Sequence, residues 1–309
     1  MTLFVAYHYC FFKVLKQFDI VHAHFGTCGV FAAYYKLLGL LENTQLITSF
    51  HGYDIALNKI RYYENVYQNA LKQSKYCTVN SPYSFSLLRR IKGDESNILT
   101  LPVGLDTQKF KTPVNNPKKR KISILFCGRL IRLKGGHLVV EIARNLQSQT
   151  ESEIQFTIVG EGPEYPYLVD LIGRYQLEDT VHLVGSLTQE KIIEHLASCD
   201  IFLFPGIHDP DSGRCETQGL VVQEAQAMEI PVVVSDVGGI KYGVIDGVTG
   251  FVVKEGDVEE FCKTIKQLIF DPVLRNKMGK AGRRFVVERF DSRVLGKNLE
   301  EIYFKALAD

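Results

Sequence analysis

Glu216 and Glu224 bracket the run Cys215-Glu216-Thr217-Gln218-Gly219-Leu220-Val221-Val222-Gln223-Glu224, which passes from a polar loop into a helix-like segment reaching Met228. Gly219 sits where that helix would begin. Its bare backbone lets a ligand approach closely, and the first amides of the helix, at the positive end of the dipole, suit an anion such as phosphate. One turn further on, Glu224 returns to the same face, where its carboxylate can accept two hydrogen bonds from vicinal hydroxyls such as those of a ribose. By themselves two glutamates at this spacing are an ordinary solvated helix face. The flanking residues make the difference.

A basic constellation lies upstream. Ile122-Ser123-Ile124-Leu125-Phe126-Cys127 reads as a buried strand and empties into Gly128-Arg129-Leu130-Ile131-Arg132-Leu133-Lys134-Gly135-Gly136. Arg129 offers a planar fork for phosphate oxygens and Lys134 a mobile point charge, a complementary pair for a diphosphate at a strand-to-helix loop. Arg132 reads as surface basicity. Nearer the start, residues 19–25 and 46–54 are strands ending in polar clusters, and each delivers a histidine to its carboxyl edge. His22 and His24 alternate onto one face and are of metal-ligand type, but no third ligand follows at suitable spacing. His51, just before Gly52, is a candidate catalytic group; the plainer reading is a strand-end histidine bonded to backbone. Asp209-Pro210-Asp211 has the spacing of a metal-binding carboxylate pair, yet proline stiffens it and Arg129 and Lys134 already supply positive charge.

These groups need elements to hold them. Ile201-Phe202-Leu203-Phe204 with Pro205 precedes the glutamates, and Ile230-Pro231-Val232-Val233-Val234-Ser235 with Gly238-Gly239 follows them. Strand, loop, helix and strand in succession put the carboxylates at the carboxyl edge of a parallel sheet, where open α/β sheets bind ligands. Strands near Ile122, Phe156, Val181, Ile201 and Val232 alternate with amphipathic helices, which predicts a five-stranded parallel half. Gly160-Glu161-Gly162-Pro163 is a turn by its own chemistry. Pro113, Asn115, Asn116 and Pro117, ahead of Lys118-Lys119-Arg120, mark a linker. Ser81-Pro82 predicts a capped helix start, and Leu3, Phe4, Tyr7, Phe11, Leu15 and Phe18 recur at near-helical spacing.

Taken in order, Gly128-Arg129-Leu130 with Lys134-Gly135, the Glu216 and Glu224 pair, Gly238-Gly239 and Asp246-Gly247-Val248-Thr249-Gly250-Phe251 make residues 122–253 resemble the nucleotide-sugar half of a family 4 retaining glycosyltransferase. That family has an α/β fold of two facing Rossmann-like domains, the GT-B architecture. The resemblance implies that Arg129 and Lys134 hold the donor diphosphate, Glu224 the ribose and Glu216 a hydroxyl of the transferred sugar. The amides of Gly219, Leu220 and Val221 would complete the cradle, Leu187 would lie near the base, and His51 would face the donor sugar with Asp54 close behind. The donor is then a UDP- or GDP-sugar, no metal or other cofactor is expected, and the acceptor is a saccharide or lipid-linked hydroxyl, as in bacterial surface polysaccharide or lipopolysaccharide assembly. The domains expected are a first over 1–112, a linker over 113–120, a nucleotide-sugar domain over 121–292 and a C-terminal helix over 293–309 that crosses back to the first.

Composition agrees with this. A chain of 309 residues suits two domains, and 46% apolar residues suffice for two cores. A formal charge of +1 gives nucleic acid no reason to bind. The cysteines form no CxxC pair or regular framework, as expected of reduced thiols in a cytoplasmic enzyme; the basic linker allows peripheral attachment to the inner face of a membrane. The apolar start is interrupted by His8, Lys13 and Lys16 and reads as neither signal peptide nor membrane span.

Two departures from the family stand out. Glu229 occupies a place where the family has glycine, and if that position needs positive φ the glutamate costs about 1 kcal/mol. The family also opens with a strand and a glycine-rich loop, whereas this chain begins at the helix preceding residues 19–25, so the first domain is expected to be incomplete. An apolar stripe and a sheet edge would then lie uncovered, and acceptor specificity resides in the missing part. The alternatives are a nucleotide-sugar epimerase or phosphorylase of the same fold, and a non-catalytic remnant that binds a donor or a partner chain.

Overall fold

The computed structural model describes residues 14–111, 121–149 and 152–308. The linker expected over 113–120 and most of the helix expected over 3–18 lie outside them. The described residues form two compact α/β units. The first runs to Pro102 and includes Ser212–Thr217 and the stretch from Leu295; the second comprises Val103–Asp211 and Gln218–Val294.

In the first unit four parallel strands lie side by side in chain order: β1 (Ile20–His24), β2 (Gln45–Phe50), β3 (Ser74–Val79) and β4 (Ile98–Thr100). Parallel neighbours need crossovers. These are α1 (Gly26–Leu37), then α2 (Ile60–Val66) with α3 (Gln68–Gln73), then α4 (Pro82–Lys92). Helix α4 starts as its sequence predicts: the Ser81 hydroxyl accepts from the Ser84 amide at 3.3 Å, and Gly93 closes the helix at φ 88°. Phe50, Tyr67, Cys77 and Leu88 share one buried cluster. Both β3, which opens Ser-Lys-Tyr, and the short β4 lack the apolar run that announces a strand.

The second unit is a sheet of six parallel strands, β5 (Ile122–Cys127), β6 (Ile154–Val159), β7 (Val181–Gly185), β8 (Ile201–Phe204), β9 (Val232–Ser235) and β10 (Gly250–Val253), in the order β10-β9-β8-β5-β6-β7. Its helices are α5 (Gly136–Gln147), α6 (Tyr165–Arg174), α7 (Gln189–Ala197), α8 (Leu220–Ala227), α9 (Val258–Phe270) and α10 (Pro272–Arg289). Every residue of β8 and β9 is buried, which is why they read as unbroken apolar runs. The predicted five strands are one short. Strand β10 pairs with β9 from Gly250↔Val232 to Val253↔Ser235, and four residues opening on glycine carry too little pattern to be seen beforehand.

The last helix, α11 (Ser292–Ala308), contributes Ile302 and Ala306 to a cluster with Ile47 of β2. At the end of α8, Glu229 has φ 60°, so the left-handed backbone that glycine usually serves is present here with glutamate in place. No helix among the described residues is long and apolar enough to cross a membrane.

Candidate active site

The strand order of the second unit decides where its polar loops meet. From β5 the chain goes outward to β6 and β7, then returns past β5 to lay down β8, β9 and β10 on the other side. The loops leaving β5 and β8 therefore diverge from adjacent strands, paired at Ile124↔Ile201 and Leu125↔Phe202. Such a switch point opens a crevice at the carboxyl edge. The loop after β5 carries Arg129 and Lys134; the loop after β8 leads into α8 and Glu224. The two loops are joined by a bond from the Ile207 amide to the Leu133 carbonyl at 2.9 Å. Gly135 makes the approach possible: its φ is 77°, and a Cβ there would lie 1.9 Å from the Pro205 carbonyl oxygen.

Cys127 closes β5 and shows which charges come together. Its thiol is pushed up to about 12, first by burial and next by the Glu224 carboxylate, with the Lys134 ammonium opposing. Glu224 and Lys134 thus act on one buried sulfur. Desolvation alone raises Glu224 to about 7, and its carboxylate has no hydrogen bond among the described residues. Lys134 Nζ lies 5.5 Å from the ring centroid of Phe204. Arg129 is exposed and in no ion pair among the described residues.

Helix α8 begins after Gly219, whose backbone lies at φ 77° and ψ 56°. Leu220 and Val221 form its half-buried first turn. Beside this start, Gln218 clasps the chain at Val103: its Nε2 donates to the Val103 carbonyl at 2.7 Å, and the Val103 amide donates to its Oε1 at 2.8 Å. Nothing in the sequence pattern marked Gln218, since a buried and an exposed glutamine look alike there. The Gly160 to Pro163 turn braces the basic loop, with Leu130 donating to Glu161 at 2.8 Å and accepting from Glu164 at 2.9 Å. Leu187 is half-buried beyond β7. Two strand spacings separate β5 from β7, roughly 10 Å.

The first unit holds the other candidates. His24 Nδ1 and His51 Nε2 are 2.9 Å apart, so one ring donates to the other. His22 engages both its nitrogens, with the Tyr303 hydroxyl at 2.8 Å and Ser49 Oγ at 2.7 Å. Burial, then His24 and His51, lowers it to about 4. Asp54 accepts from the Gly26 amide at 2.7 Å and the His51 amide at 3.0 Å. Burial outweighs those bonds and raises its pKa.

Glu216 comes into this unit on the segment Ser212–Thr217. The Thr217 hydroxyl donates to the His51 carbonyl at 3.4 Å and accepts from Asn80 Nδ2 at 3.0 Å. A Cβ on Gly52 would meet that hydroxyl at 2.1 Å. Glu216 is half-buried, with Oε1 accepting from the Thr217 amide at 2.9 Å. The structure therefore sets the residue beside Glu216 against the His51-Gly52 turn. It also recruits Asn80, at the end of β3, whose only sequence signal was its place before the Ser81 cap. Asp209 is half-buried and Asp211 exposed, on the loop between β8 and α8. Among the described residues no group of three or more His, Cys, Asp or Glu is arranged to hold a metal ion.

The second unit thus joins a basic loop and a glycine-led helix start to a desolvated carboxylate, and the first holds a braced imidazole. Residues 107–285 match the family Glycosyl transferases group 1. The chain belongs to that family. Residues 3–109 match Glycosyltransferase Family 4, so this is a glycosyltransferase of the GT-B class with two Rossmann-like α/β units. The glycosyltransferase is 28% identical over 287 residues to the putative colanic acid biosynthesis glycosyltransferase WcaL of Salmonella typhimurium, covering 92% of this chain and 70% of that one. It is 29% identical over 285 residues to the amylovoran biosynthesis glycosyltransferase AmsK of Erwinia amylovora, covering 92% and 69%. Anabaena HepE, solved in complex with UDP and glucose, shares the fold at a TM-score of 0.79 and 21% identity, covering 94% of this chain and 79% of that one.

Proposed function

We propose that this glycosyltransferase moves a hexose from a nucleoside diphosphate sugar to a hydroxyl acceptor with retention at the anomeric carbon, in the assembly of a bacterial surface polysaccharide or lipopolysaccharide. The observation that carries the proposal is Glu224: a half-buried carboxylate, raised to about 7, without a hydrogen bond among the described residues, and grouped with Lys134 around Cys127. A carboxylate desolvated and left unbonded is costly unless a ligand supplies donors. The vicinal hydroxyls of a ribose supply two. In this reading Arg129, Lys134 and the α8 amides of Gly219, Leu220 and Val221 hold the diphosphate, and Leu187 flanks the base. His51 and Glu216 contact the transferred sugar.

Charge develops on the leaving diphosphate as the C1–O bond breaks, and Lys134, Arg129 and the helix start stabilise it. The acceptor hydroxyl attacks C1 on the face the phosphate leaves, and its proton passes to the departing phosphate oxygen. No enzyme nucleophile is required. The names of WcaL and AmsK support the polysaccharide setting and HepE supports a UDP donor. A cytoplasmic enzyme working peripherally at a membrane, on a saccharide or lipid-linked acceptor, fits that setting.

Calorimetry of UDP and GDP binding to the full chain, followed by release of nucleoside diphosphate from UDP- and GDP-sugars, tests the proposal. Binding of one nucleotide, weakened in Glu224→Ala, is expected. Failure of both nucleotides to bind would overturn it.

A further inference from the structure

The His24–His51 contact says how the His51 ring is used, an inference that rests on the reading of His51 as a group acting on the donor sugar. Nε2 of His51 is 2.9 Å from Nδ1 of His24, with the rings 15° apart in plane and their centroids 5.2 Å apart. One of these nitrogens carries the proton and the other accepts it. Nδ1 of His51 has no hydrogen bond among the described residues. Nε2 is therefore taken, and Nδ1 is the nitrogen left for a substrate.

His24 is itself held. Its ring stacks on His22 with centroids 4.4 Å apart and planes 25° apart. His22 is fixed at both nitrogens by Tyr303 and Ser49, and Ser49 bonds to Thr78. His22 thus stacks on His24, and His24 lies side by side with His51, the three anchored on β1, β2, β3 and α11. Phe25 closes the side of His51 at 4.9 Å between centroids.

We propose that His24 is a positioning residue that fixes the ring and tautomer of His51, so that Nδ1 and not Nε2 is presented to the donor sugar. An imidazole at a strand end turns about χ2 and shows either nitrogen to its surroundings; a hydrogen bond to a second group removes that freedom and selects the tautomer. The titratable groups around His51 are His22 and His24 on β1 and Asp54 behind it. Burial and His24 lower its pKa while Asp54 opposes, which favours the neutral ring, with one nitrogen donating and one accepting.

The test uses the full chain with His24→Leu, His24→Asn and His51→Ala. Asparagine keeps a donor and an acceptor near the position of His24 Nδ1, whereas leucine keeps neither. Turnover is followed as release of UDP from UDP-glucose and GDP from GDP-mannose, and the His51 tautomer by 1H–15N spectra of histidine-labelled protein. In His24→Leu, turnover should fall about 10- to 100-fold, the scale of a misoriented catalytic group, with the donor KM changed less than about twofold. His24→Asn should recover most of it. The spectra should show one His51 tautomer in the native chain and a mixture in His24→Leu.

Equal losses in the leucine and asparagine variants, or an unpinned His51 in the native chain, would overturn the proposal. So would a loss in His51→Ala with none in His24→Leu, which leaves the reading of His51 intact. A fully active His51→Ala variant would remove that reading and this proposal together.

Discussion

At the carboxyl edge of the second unit Glu224 has no side-chain hydrogen bond among the described residues, whereas at that of the first His22, His24, His51 and Asp54 are bonded to one another, to other side chains or to backbone. The former leaves its acceptor open to a ligand; the latter is held by bonds of its own. Substitutions in the second unit should therefore cost function with little loss of stability, and those in the first should cost both.

The largest effect is expected at Lys134. Replacing it with alanine removes a fixed charge from the leaving diphosphate, and turnover should fall about 10²–10³-fold with the melting temperature nearly unchanged. Steady-state kinetics and a thermal melt check this. A large drop in melting temperature would break the comparison by showing that Lys134 holds the loop together.

Glu224→Ala should weaken UDP or GDP binding by about 1.5–3 kcal/mol, the range for hydrogen bonds to a charged group, yet leave the free protein no less stable. The pH dependence sharpens the point. Because its pKa is raised from 4.5 to about 7, the folded state binds a proton more tightly than the unfolded chain, so Glu224 costs stability increasingly as pH rises through that window. Glu224→Gln should abolish that decline in a melting series from pH 4.5 to 8. Nucleotide affinity of the native chain should meanwhile rise between pH 6 and 8, as the acceptor form fills. A flat affinity profile would argue that the carboxylate does not meet the ligand.

Asp54→Ala tests the other edge. It leaves the Gly26 and His51 amides without their acceptor, and stability should drop by about 1–3 kcal/mol in urea denaturation, with turnover falling as His51 loses its anchor. Unchanged stability would mean that the polar cluster of the first unit is held by something else. The smallest effect belongs to Glu229→Gly, remote in kind from either edge: relief of its positive φ should raise stability by up to about 1 kcal/mol and leave kinetics alone.

Much of the second unit was legible because its signals are local. Buried parallel strands are short apolar runs and glycines mark the loops between them, just as in the first unit Ser81 announces its helix by chemistry within one turn. Arg129, Lys134, Gly219 and Glu224 could be picked out as a set from residue type and loop position. Strand β10 escaped because it has four residues and a glycine at its head, and Gln218, Thr217 and Asn80 escaped because their importance lies in partners far along the chain.

By itself, then, the sequence determined the alternation of strand and helix, the loops that carry charge and the glycines that let those loops bend, since each depends on neighbours within a few residues. Only the tertiary structure decided that β5 lies against β8, which makes the switch point, and that β1 lies against β2, which brings His24 onto His51. It also decided that Glu224 is desolvated enough to titrate near 7. Strand neighbours are chosen by non-local pairing and desolvation by everything packed around a group, and neither quantity is written in any short stretch of residues.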